Sequence, residues 1–207
     1  MHYQPVRNGC LFFAIIVIAE LNLTSELHLR AAVRVLGQGG VIACPTEAVW
    51  GLTCDPGNPD AVARLLDLKQ RPVSKGLILV AADMSQLAPL LATLTEAQRS
   101  KLALSWPGPT TWLLPHNNCI PAWVHGEHDT IAVRVSAHNT VAALCRAWGG
   151  PLVSTSANPA GSRPATAAFQ VRRYFQQQLD YIVPGAVGGA TRPSVIRDLL
   201  TDRIIRS

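Results

Sequence analysis

Charge is scarce in this 207-residue chain: Asp, Glu, Lys and Arg make up 15% of it, against a usual share of roughly 25%, and apolar residues reach 48%. Such a balance excludes an intrinsically disordered protein, because much of the chain must be buried. Its length fits one domain with a sizeable core.

Paired cysteine motifs are also absent. Five cysteines, Cys10, Cys44, Cys54, Cys119 and Cys145, lie far apart with no C-x-x-C among them. An odd, scattered set points to reduced thiols in the cytoplasm, and Cys44 and Cys145, set in apolar segments, read as small buried hydrophobes. Nor is there an apolar run long enough for a bilayer, which needs about 20 residues. The run Cys10 to Ala19, preceded by Arg7, mimics a secretory signal, but Glu20, Leu21 and Asn22 follow it without a small-x-small cleavage pattern. Two readings stand for residues 1–21: an added edge strand, or an extension from an upstream start codon, which we prefer. Residues 22–207 then form the domain, with no membrane partner.

Common nucleotide and metal signatures are missing too. There is no G-x-x-x-x-G-K-[ST], and Gly37-Gln38-Gly39-Gly40 lacks the last glycine of a dinucleotide fingerprint. His125, Glu127, His128 and Asp129 crowd together without the i, i+4 histidine pair of a zinc protease, and read as solvated loop. No metal site is assigned. Internal repeats, low-complexity tracts and linkers are absent as well.

What is present alternates between helix and strand. Leu29, Ala32, Val33 and Leu36 keep helical spacing, closed by Gly37, Gly39 and Gly40. Val41 to Cys44 predicts a strand stopped by Pro45, with Thr46 to Gly51 as a turn. Asn58-Pro59 starts a helix that ends where Pro72 restrains Arg71, which places Lys69 and Arg71 at a helix exit. Gly76 to Ala82 predicts a buried strand, Thr95 opens a helix to about Leu104, and Thr110 to Leu114 and Thr130 to Ser136 predict strands. Helices over 139–148 and 166–176, and strands at Leu152-Val153 and near 181–183, 194–199 and 203–206, complete the reading. The class is α/β: one domain with a twisted mixed parallel/antiparallel sheet flanked by helices.

Four loops near strand ends are rich in hydroxyl, amide and guanidinium groups, which suit phosphates and carboxylates. They are Thr46 to Leu52 after Pro45, Lys69-Gln70-Arg71-Pro72, Val133-Arg134-Val135, and Ser154-Thr155-Ser156-Ala157-Asn158. With Trp106-Pro107-Gly108-Pro109 and Pro193-Ser194-Val195-Ile196 they follow one another in the order of the TsaC/YrdC family, which the chain resembles from about Thr24 to Arg206. Longer relatives carry a second domain and a histidine after the basic motif. Here Lys75-Gly76-Leu77-Ile78 occupies that stretch.

The resemblance implies a nucleotidyltransferase that makes threonylcarbamoyl adenylate and pyrophosphate from L-threonine, bicarbonate and ATP. It implies Mg²⁺ carried by the nucleotide, and a downstream transferase complex that modifies tRNA. By that resemblance Lys69 and Arg71 are catalytic and bind the triphosphate. Thr46, Arg134, Ser154 and Ser194 bind threonine; Thr130, Ser156, Asn158 and Arg206 contact ATP. The chemistry is apt, because cations stabilise a departing pyrophosphate and a guanidinium interrupting an apolar strand needs an anionic partner. That partner is either the substrate carboxylate or an internal acid such as Glu47 or Asp198. Val49, Trp50 and Leu52 could line a niche for the threonine methyl, though Val49 and Leu52 read rather as core.

A net charge of +5 leaves a second class open, a non-catalytic RNA-binding module in direct contact with RNA. No RNP-like aromatic motif or dense Lys/Arg tract supports it. Carbamoyl-phosphate chemistry, as in hydrogenase maturation proteins with related domains, is a third reading, weakened because those domains are fused to others absent here.

Overall fold

The computed structural model describes residues 25–206, so the apolar run in residues 1–21 lies outside it. A helix over 25–37 (α1) leads into strands β1 (Ile42–Pro45) and β2 (Trp50–Cys54), then helix α2 (Pro59–Lys69) and strand β3 (Ile78–Ala81). Helices α3 (Ala88–Leu91) and α4 (Glu96–Ala103) precede β4 (Thr110–Pro115), α5 (Ala122–His125) and β5 (Thr130–Val135). The chain finishes through α6 (Asn139–Trp148), β6 (Leu152–Ser156), α7 (Ala168–Phe175), β7 (Tyr181–Ile182), β8 (Val195–Asp198) and β9 (Ile204–Arg206).

Among the described residues, all the strands join one nine-stranded sheet in the order β7-β1-β2-β6-β3-β5-β4-β8-β9. It is mixed, as the sequence predicts: β1/β7, β3/β5 and β4/β8 are parallel, and the other neighbours antiparallel. Both faces are covered. Period-2 alternation sends Val41, Ala43, Leu79 and Ala81 to one face and Ile42, Cys44, Val80 and Ala82 to the other. The first face packs against Leu65 and Leu66 of α2, Leu102 of α4 and Phe175 of α7; the second packs against Leu36 of α1 and Leu144 and Cys145 of α6.

The helix starts follow their sequence signals. The Asn58 side chain accepts from the Ala61 amide at 3.0 Å, Pro59 takes the first turn, and Gln70 closes α2 in the left-handed region at φ 52°. Thr95 and Gln98 form a capping box on α4.

Several boundaries differ from the sequence reading. Trp50 and Gly51 belong to β2 rather than to a turn, which shortens that turn to residues 46–49. Strand β2 escaped notice because it is buried on both faces, and burial on both sides erases alternation. His125 ends helix α5 instead of lying in a loop. Strand β6 runs on to Ser156, so Asn158 lies beyond it and does not share its register. Cys44, Cys54, Cys119 and Cys145 are free thiols; burial pushes Cys44 up to about 11 and Cys145 to about 12, as inert core groups.

Candidate active site

A cavity of about 590 Å³ opens where the 46–49 turn, the exit of α2, β5, the end of β6 and the β8–β9 pair converge. Every site residue expected from the sequence lines it: Thr46, Lys69, Arg71, Thr130, Arg134, Ser154, Ser156, Asn158, Ser194 and Arg206. Gly51 makes part of this convergence possible, since a Cβ there would lie 3.3 Å from both the Ser154 hydroxyl and the Thr46 methyl.

Lys69, the last residue of α2, is 5% exposed. Its ammonium donates to the carbonyl of Ser156, to the carbonyl of Asn158 at 2.8 Å, and more weakly to the Asn158 Oδ1 at 3.5 Å. Burial, and then the neighbouring Arg71, pull its pKa down to about 8. The two carbonyls act in the opposite direction. Asn158 spends its amide hydrogens on Pro159 and Ser162, so it holds Lys69 in place rather than offering donors to a ligand.

Arg71 follows the left-handed Gln70 and donates through Nη2 to the carbonyls of Lys75 (3.1 Å) and Gly76 (2.8 Å). Its Nε is buried without a partner, as is that of Arg134. The segment that anchors Arg71 is itself clasped by α5: the Leu77 amide donates to Val124 O at 2.8 Å and the Glu127 amide to Ser74 O at 3.2 Å. Gly126, at φ +69°, sits so close that a Cβ would lie 2.6 Å from the carbonyls of Val73 and Ser74. Gly126→Ala is therefore expected to cost about 1–3 kcal/mol of stability from backbone strain alone, read by denaturant unfolding.

Of the two internal acids considered for Arg134, Glu47 is the one it pairs with. Arg134 Nη2 lies 3.2 Å from Glu47 Oε2, with side-chain exposures of 10% and 13%. Glu47 Oε1 accepts from Ser136 Oγ at 2.7 Å. Burial draws the Arg134 pKa down, and Glu47 opposes that. On the far wall Thr111 Oγ1 donates to Ser194 Oγ at 2.8 Å, and Arg206 Nη2 to the Ser194 carbonyl at 3.0 Å. Thr46 Oγ1 donates to Val49 O at 2.7 Å, closing the turn.

Of the three apolar residues considered for a methyl niche, Leu52 and Trp50 are both core side chains, and Val49 and Trp50 border the cavity. Sequence reasoning missed Lys75, Arg192, His125 and His128, which line it too. His125 is half-buried and stacks on His116, ring centroids 3.9 Å apart. Glu127, His128 and Asp129 are exposed as expected, and no group of three metal-ligating side chains occurs among the described residues. Also among the described residues, no helix is long and apolar enough to cross a membrane.

The sequence and the fold have counterparts. The protein-family model Sua5_yciO_yrdC, described as telomere recombination, matches residues 34–207. The threonylcarbamoyl-AMP synthase of Cellvibrio japonicus is 54% identical over 179 residues, which cover 86% of this chain and 95% of that protein. Among solved structures, P. abyssi Sua5 complexed with L-threonine superposes with a TM-score of 0.79 at 31% identity, over 85% of this chain and 52% of the other. This chain thus spans about half of that one. E. coli YciO superposes with a TM-score of 0.77 at 26% identity, over 88% and 89% of the two chains. On the family match and the identity to the Cellvibrio protein, the chain belongs to the Sua5/YciO/YrdC family.

Proposed function

We infer that the chain is a threonylcarbamoyl-AMP synthase, acting in the cytoplasm to supply threonylcarbamoyl adenylate for tRNA modification. The observation that carries the reading is the meeting of Lys69 and Arg71 from the exit of α2, Arg134 from β5 and Arg206 from β9 around one cavity. Its volume falls within the roughly 300–1,000 Å³ typical of small-molecule sites.

In this reading Arg134 receives the threonine carboxylate, with Thr46, Ser154 and Ser194 reading its remaining polar groups. The amine adds to the carbon of bicarbonate-derived CO₂ and loses a proton, giving a carbamate. A carbamate oxygen attacks the α-phosphorus of ATP, the bond to the β-phosphate oxygen breaks, and pyrophosphate leaves with the electron pair. Lys69, Arg71 and Arg206 stabilise the charge that gathers on the departing oxygens; held in place beforehand, they do so better than water. Magnesium borne by the nucleotide would neutralise phosphate charge. Glu47, the lone carboxylate among the described lining residues, is already engaged by Arg134 and Ser136, so the side chains do not form a resident metal cage. The labile adenylate then passes to a transferase complex.

Incubation with ATP, L-threonine, bicarbonate and Mg²⁺, followed by mass spectrometry, is expected to reveal threonylcarbamoyl adenylate and equimolar pyrophosphate. Pyrophosphate without the adenylate, or neither product, rejects the assignment.

The lowered pKa of Lys69 adds a pH signature. Its pKa near 8 lies below the usual value of about 10.4, so the ammonium is largely charged at pH 7 and largely neutral by pH 9. Affinity for ATP is expected to fall as pH rises through 8, approaching tenfold per pH unit above it. Calorimetric titration with ATP alone isolates this from deprotonation of threonine. A flat profile to pH 9.5 would remove Lys69 from the phosphate site.

A further inference from the structure

Among the described residues lining the cavity, Glu47 is the single carboxylate, facing six cations: Lys69, Arg71, Lys75, Arg134, Arg192 and Arg206. Lys69 and Arg71 stand at the exit of α2, Arg134 in β5 and Arg206 in β9. Beyond the burial that depresses each, Lys69 is lowered further by Arg71, Arg71 by Arg206, and Arg206 by Arg134. Glu47 pairs with one of these cations, Arg134, at 3.2 Å.

The carboxylate is fixed there. Ser136, 1% exposed, donates to its Oε1 at 2.7 Å. The Ala190 amide donates to the Glu47 carbonyl at 3.0 Å, and Gly188 lies against its Cα, where a Cβ would come within 3.3 Å. Glu47 is thus held beside Arg134 rather than beside another of the cations.

On the reading given above, this cavity holds two anions side by side, a triphosphate and an amino-acid carboxylate. A uniform set of cations would not tell them apart, and the more highly charged of the two would occupy all of it. We propose that Glu47 is a specificity-determining residue that reserves Arg134 for the amino-acid carboxylate by screening it from the triphosphate. Paired with Glu47, Arg134 presents a nearly neutral end to a polyanion at a distance. Its guanidinium fork still offers donors to a carboxylate within hydrogen-bond reach.

Glu47→Gln tests this, since it keeps side-chain length and an acceptor for Ser136 while removing the charge. The probes are L-threonine and inorganic tripolyphosphate, titrated calorimetrically. In the wild type, saturating tripolyphosphate is expected to change the threonine Kd less than twofold. In Glu47→Gln it is expected to weaken threonine about tenfold, and tripolyphosphate itself to bind more tightly. That gain is expected to vanish when Arg134→Met is added. Ser136→Ala, which loosens the carboxylate without deleting its charge, is expected to shift both quantities the same way by less, and keeps the test available if Glu47→Gln folds poorly. Threonine binding that weakens in Glu47→Gln and Ser136→Ala without any new competition from tripolyphosphate would overturn the proposal, leaving Glu47 a structural counter-ion. A wild type that binds neither probe would overturn the synthase reading instead.

Discussion

Lys69→Ala is expected to reduce pyrophosphate release by a hundred- to thousandfold, the usual loss when one preorganised group is removed from a developing oxyanion. Lys69 is the most constrained cation of the cavity: nearly all of its stem is buried, and its ammonium is held by the carbonyls of Ser156 and Asn158. A lysine in such a setting sits close to its catalytic position before ATP arrives, so little reorganisation is left for the chemical step. Deletion also strands the two carbonyls, at about 1–3 kcal/mol for each that stays buried and unpaired. Lys69→Arg separates the two effects, because it keeps charge and donors but places a larger, planar head in a site fitted to an ammonium. Both variants are expected to show the loss in kcat and in a weakened ATP Kd together, with folding checked by thermal unfolding. A Lys69→Ala protein that is folded and within fivefold of wild-type turnover would remove this residue from the chemistry.

Much of this site could be read from the amino-acid sequence, for reasons that are local. Lys69 and Arg71 were visible because Asn58-Pro59 and Pro72 bracket the helix that presents them, and such signals act within a few residues. Arg134 was visible because a guanidinium in Thr130–Val135 contradicts the apolar pattern around it. The mixed α/β class followed from the alternation of helical and extended periods, and the nine-stranded sheet agrees with it.

What could not be read depends on contacts across long stretches of chain. Ser136 reaches Glu47 across 89 positions and Thr111 reaches Ser194 across 83, and neither serine nor threonine advertises such a partner. The α5 clasp behind Arg71 rests on Gly76 and Gly126, two glycines that look like ordinary turn residues until their backbones meet. Asn158 illustrates a subtler gap: its place at the cavity followed from its motif, but its engagement with Lys69, Pro159 and Ser162 did not. Residue type indicates which hydrogen bonds a group can make, and only the fold decides where they go.

Arg134→Ala is expected to lower kcat/KM for threonine by a hundred- to thousandfold, about 3–4 kcal/mol, while the Kd for ATP moves less than fivefold. The asymmetry follows from attachment: Arg134, in β5, is the cation paired with Glu47, whereas Lys69 and Arg71 are presented at the exit of α2. The substitution also leaves the Glu47 carboxylate, 13% exposed, without its counter-charge, which for a buried pair costs roughly 3–5 kcal/mol of stability. Loss of activity in that variant alone would therefore be ambiguous. Arg134→Lys removes the ambiguity, because it restores a positive charge beside Glu47 but not the planar fork that takes a carboxylate through two parallel bonds. It is expected to recover most of the stability in denaturant unfolding yet keep a threonine KM at least tenfold above wild type. Wild-type KM in folded Arg134→Lys would mean that charge alone suffices there, and an equal loss of ATP and threonine binding in Arg134→Ala would place the residue at the phosphates instead.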